Sequence, residues 1–192
     1  MKYLVLGGAY VRNYQRNRKQ FFFVLLTVGF LVGILYENIF ARQYALSNGM
    51  FSDYFLQQYM QTELVVEDYV WYIARLRILP FVIVCFLGCM KWKKVLVGIC
   101  VSWTGFSLGM LAVSAVMQLG MKGMILCIVG LVPHMVFYAF AYMVLFWHLC
   151  GYPNVLWNVK KTVAIGLAFV MGVVLEGYVN PLFMKLVIKA LW

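Results

Sequence analysis

Apolar runs long enough to cross a bilayer recur along this chain, separated by short segments that hold most of its charge. About 20 residues rising 1.5 Å each traverse a hydrocarbon core of roughly 30 Å. That length predicts spanning helices over residues 21–40, 71–90, 95–117, 124–150 and from 162 to about 184. The fourth is the clearest, with no acid, lysine or arginine in MILCIVGLVPHMVFYAFAYMVLFWHLC. The second is the shortest, because only residues 78–90 are uninterrupted; a short or re-entrant helix is an alternative there. Its Trp71 and Tyr72 suit an interfacial belt, Arg75 and Arg77 can snorkel outward, and Pro80 would fall in the first turns.

Between the first two runs, residues 41–70 hold Asp53, Glu63, Glu67 and Asp68, four of the six acids. Apolar residues there recur at spacings of three and four, which predicts an amphipathic helix at the membrane surface. Such a helix either covers the mouth of the bundle or offers a docking surface, with Phe51, Tyr54, Tyr59, Glu63, Glu67, Asp68 and Trp71 as its candidate contacts. Residues 1–20 form a basic segment with Tyr3, Tyr10 and Tyr14, expected to lie along the cytoplasmic face. The organisation is therefore that interfacial segment followed by one transmembrane helical domain over residues 21–192.

Composition sharpens this class. The chain is 65% hydrophobic and 11% charged, with too little polar surface for a water-soluble domain of 192 residues. A net charge of +10 would suggest nucleic acid in a soluble protein, but here the basic residues flank apolar runs, where they orient a membrane protein. Lys2, Arg12, Arg16, Arg18, Lys19, Lys91, Lys93, Lys94, Lys160 and Lys161 fall on one side of a five-span topology. Arg42, Arg75, Arg77, Lys122, Lys185 and Lys189 fall on the other, together with the acidic loop. Ten against six places the N-terminus in the cytoplasm and the C-terminus outside. The expected fold is an all-α integral membrane protein, a bundle of about five transmembrane helices.

The candidate chemistry lies inside the apolar runs. Pro133 removes a backbone hydrogen bond, and His134 and Glu176 are titratable groups that hydrocarbon disfavours. Helix rise puts His134 roughly 15 Å and Glu176 roughly 12 Å below the same outer edge, so neighbouring antiparallel helices can bring them together. That pair is either a clasp fixing helix register or a proton or ion relay. Pro181 marks a second break after Asn180. Gly29 and Gly33, and again Gly105 and Gly109, form G-x-x-x-G steps that let helices approach closely. The spacings lack H-E-x-x-H, G-x-S-x-G and a glycine-rich phosphate loop, so no enzymatic activity is expected. The five cysteines lie within or at the ends of apolar runs without metal-site spacing; no metal, cofactor or disulfide is expected.

Several of these pieces resemble the stage II sporulation protein M family of bacterial membrane proteins. Residues 16–40 are similar to its basic-then-apolar entry. Leu76-Arg77-Ile78 with Phe86-Leu87-Gly88, then Gly105-Phe106-Ser107-x-Gly109, resemble its second and third spans. Val132-Pro133-His134 resembles its fourth, and Glu176-x-Tyr178-Val179-Asn180-Pro181-Leu182-x-Met184-Lys185 its closing motif, with Asn180 in place of Ser or Thr. The resemblance implies a non-enzymatic scaffold in a bacterial cell membrane. It would recruit peptidoglycan-degrading partners, the sporulation proteins D and P, during engulfment, with residues 41–70 and Trp71 as the docking side. The competing function is a permease, transporter or channel subunit. It would use Pro133, His134 and Glu176 as a broken-helix site and be completed by homo-oligomerisation through the G-x-x-x-G faces.

Overall fold

A computed structural model describes residues 20–42, 51–62, 66–152 and 155–191. The interfacial helix expected over residues 1–20, apart from Gln20, and the docking candidate Glu63 lie outside the described residues. Those residues form helices and no strand. We number them α1 (Gln20–Phe40), α2 (Asp53–Gln61), α3 (Val66–Leu87), α4 (Lys93–Leu119), α5 (Met121–Gly151) and α6 (Val159–Leu191). Five of them, all but α2, are long and apolar enough to cross a membrane, an architecture compatible with a multi-pass membrane protein.

The helix boundaries follow local chemistry. The Ser52 hydroxyl accepts a hydrogen bond from the Phe55 amide and starts α2. Glu67 and Asp68 occupy the first turn of α3, where acids complement the helix dipole. α4 and α5 are joined by Gly120 alone, whose φ of 59° suits a residue without Cβ. α3 begins five residues before the predicted start at 71 and runs unbroken to Leu87, so it is not short. Pro80 consequently sits in the helix interior rather than its first turns. α5 and α6 also extend past their predicted ends.

Packing is organised as three apolar clusters along the bundle. At one end Phe51, just before α2, and Leu56 of α2 pack with Ala115, Leu126, Cys127 and Ile188, so α2 covers the ends of α4, α5 and α6. Tyr138, Ala141, Ile165, Ala168 and Phe169 fill the middle, and Val84, Val97, Leu145, Leu149 and Cys150 the far end. α1 and α4 run parallel, with Gly29 and Gly33 facing Ser102 and Phe106, and Gly105 and Gly109 facing Leu26 and Phe30. A Cβ at any of the four would overlap a backbone carbonyl oxygen of the partner helix. The two G-x-x-x-G steps therefore serve each other within one chain.

Candidate functional site

Three helices bring their polar residues together at mid-length. Glu176 lies near the middle of α6, in a wider π-type turn, Leu175–Val179, in which the Asn180 amide donates to the Leu175 carbonyl. The turn directly precedes Pro181, whose ring cannot continue regular α-helical hydrogen bonding. Such turns insert a residue and re-aim the side chains around them. Here the inserted turn directs Glu176 inward, where its side chain is 11% exposed. Arg77, midway along α3, meets it with two hydrogen bonds: Nε donates to Oε2 at 3.0 Å and Nη2 to Oε1 at 2.5 Å. The Tyr138 hydroxyl of α5 donates to Oε2 at 2.9 Å. A forked guanidinium matched to both carboxylate oxygens is the strong, directional form of an ion pair.

The surroundings hold this geometry. The Tyr138 ring passes against Gly172, where any Cβ would overlap the ring, so the glycine makes room for the phenol to reach Glu176 one turn later. The Arg77 guanidinium lies over the same ring, 5.2 Å from its centre. Gly177 lies against Val70 and lets α3 approach the π-type turn closely. Pro80, Pro133 and Pro181 each lie within five residues of a charged or titratable member of the layer, one on each contributing helix.

His134 is buried beside this group, one turn before Tyr138 and edge-on to its ring. Its Nε2 lies 3.8 Å from Glu176 Oε1. The structure thus brings the predicted pair together, but that distance is too long for a hydrogen bond. His134 is a neighbour of the carboxylate, and its Nδ1 has no hydrogen-bond partner among the described residues. The partners of Glu176 are Arg77 and Tyr138, neither of which the spacing argument singled out. Arg77 does not snorkel outward as expected. Two signals pointed to them: an arginine three residues before a proline inside an apolar stretch, and a tyrosine four residues after His134 on the same helix face.

A second buried carboxylate, Glu37, also lies in a π-type turn, Glu37–Ala41. Ser114 Oγ donates to its Oε1 at 2.6 Å, close to the Gly33–Gly109 crossing. Glu37 thus faces the bundle.

The docking candidates divide. Phe51 is buried under α2 and presents nothing to a partner. Tyr59 is half-buried, and burial pushes its phenol up to about 12, with the nearby Tyr69 as the second cause. Tyr54 and Trp71 are 77% and 73% exposed, and Glu67 and Asp68 are exposed with them. Lys185 of the closing motif donates to the Thr62 carbonyl at 3.0 Å and ties the end of α2 to α6. At the other end of the bundle His148 Nδ1 contacts the Val155 carbonyl at 2.8 Å and its ring meets Trp157 edge-on. Comparison with protein-family models, with curated proteins and with solved structures finds no match to this chain.

Proposed function

We propose that this chain is a non-enzymatic multi-pass membrane scaffold, locked at its centre by the Arg77–Glu176–Tyr138 clasp. The observation that carries the reading is the saturation of Glu176. A bidentate guanidinium and a phenol, from two other helices, hold both carboxylate oxygens. That arrangement suits a lock, because a site that exchanges protons or ions needs a carboxylate able to let its partners go. The basic-residue count orients the N-terminus to the cytoplasm, and Arg77, held at mid-length in α3, no longer weighs for the outer side. Tyr54, Glu67, Asp68 and Trp71 then form an outward surface for a partner. The resemblance to the stage II sporulation protein M family extends the reading to recruitment of cell-wall hydrolases at the membrane of a sporulating bacterium.

The test is photocrosslinking from positions 54 and 71 in native membranes. Recovery of extracytoplasmic peptidoglycan hydrolases, lost when Tyr54 and Trp71 are replaced by Ser, is the expected result. Recovery of a cytoplasmic ATPase instead would overturn it. A second reading, a transporter subunit, draws on the buried His134 whose Nδ1 has no partner among the described residues, on helices with internal prolines. It predicts pH-dependent uptake into reconstituted vesicles that Glu176→Gln abolishes.

A further inference from the structure

The close crossing of α1 and α4 leaves an open groove of about 750 Å³ along one flank of that pair. Phe21, Leu25 and Val32 line it from α1, and Ile99, Trp103 and Phe106 from α4. Gly98 forms part of its floor: a Cβ there would meet only the end of the Leu25 side chain, at an ordinary contact distance of 3.4 Å. Among the described residues Lys94 is the one charged side chain lining the groove, and it stands at one end, level with Phe21. Its amine makes no ion pair among the described residues, whereas Lys93 next to it is held over the Tyr152 ring at 3.7 Å.

Two quantities identify what fits. From Lys94 to Phe106 the helix rises roughly 18 Å, close to one leaflet of a hydrocarbon core roughly 30 Å thick. The groove is therefore one acyl chain long and apolar along that length, and Lys94 is the one cation lining it among the described residues, placed where the chain would join its headgroup. Lys94 also belongs to the basic side of the topology, which faces the anionic leaflet. We infer that the α1–α4 groove binds an anionic phospholipid, one acyl chain lying between Phe21 and Phe106 and the phosphate at Lys94. The inference needs these helices to span a bilayer with the Lys94 end on the anionic side, and its failure would leave the scaffold role and the central clasp untouched.

Native mass spectrometry of the full chain, released from detergent with dioleoyl phosphatidylglycerol or dioleoyl phosphatidylcholine, tests it. The wild type is expected to retain the anionic lipid about fivefold more than the zwitterionic one, the factor for one basic residue at an anionic surface. Lys94→Gln removes that preference. Lys91→Gln, exposed and outside the groove, keeps it. Gly98→Leu fills the floor and lowers retention of both lipids. Equal retention of the two lipids by the wild type would overturn the inference. So would a preference that survives both Lys94→Gln and Gly98→Leu, or a dimer that Gly98→Leu dissociates, since a second copy would then occupy the groove.

Discussion

At the scale of single residues, the question is which group secures Glu176 among apolar helices. An isolated carboxylate there would be costly, and breaking a buried pair by removing one partner typically costs about 3 kcal/mol or more. Replacing both members by apolar groups of similar volume is often nearly neutral, because no charge is left uncompensated. Arg77→Met and Glu176→Met are therefore each expected to cost about 3 kcal/mol, with a coupling energy of about 2 kcal/mol or more in the double variant. His134→Phe keeps a planar ring, adds a little volume, removes no hydrogen bond to Glu176, and should cost about 1 kcal/mol, less than either Met substitution. Thermal unfolding in detergent measures all four. A His134→Phe loss as large as that of Arg77→Met, or zero coupling between Arg77 and Glu176, would reject this assignment. The sequence pointed to Glu176 and to His134, because both are conspicuous in uncharged runs. It concealed Arg77 because a helix starting at residue 71 puts the guanidinium within reach of an interface. The true start at Val66 moves that end away by roughly 7 Å, too far for outward snorkelling to be the easier solution.

At the scale of elements, the glycine steps were legible and the π-type turns were not. A G-x-x-x-G in an apolar 20-mer has one common use, and both steps here make the predicted close approach. An inserted residue, in contrast, leaves no mark on a helix that is apolar on nearly every face, because there is no polar stripe whose phase it can shift. Only Asn180-Pro181 hinted at the break in α6. The glycine packing gives a contrast between positions of the same residue type. Ala at Gly33 or Gly105 places a methyl group against a backbone carbonyl that no rotamer change can move, so α1 and α4 must part. Each substitution is expected to cost about 1–3 kcal/mol, the usual range for overpacking. Gly166 in α6 has nothing within 4 Å of the place a Cβ would occupy, and Gly166→Ala should be neutral or stabilising by up to about 1 kcal/mol through helix propensity. Unfolding midpoints of the three variants decide it, and a Gly33→Ala protein as stable as the Gly166→Ala one would mean that α1 does not pack closely on α4.

At the scale of the whole molecule, the number and order of the helices long and apolar enough to span a membrane were legible because a run of about 20 apolar residues has few other uses. The lateral arrangement was not, since hydropathy carries no record of which helix neighbours which. Hence the sequence paired α5 with α6 correctly and overlooked α3, which packs against both and supplies Arg77. Orientation has its own logic. An odd number of spans puts the two ends of the chain on opposite sides, so the sidedness of one connecting segment fixes that of all the others. Lysines and arginines near helix ends favour the cytoplasm, and the segment around Lys160 and Lys161 carries them while the α2 side carries the acids. In a background with Cys85, Cys89, Cys100, Cys127 and Cys150 replaced, Tyr54→Cys should react with a membrane-impermeant maleimide in intact cells. Lys160→Cys should react only after permeabilisation. The reverse pattern would turn the bundle over, moving Lys94 and its groove to the outer leaflet and the Tyr54–Trp71 surface into the cytoplasm. Labelling of both positions in intact cells would break the five-span topology itself. The same pair of cysteines thus tests the orientation on which both the docking surface and the lipid groove depend.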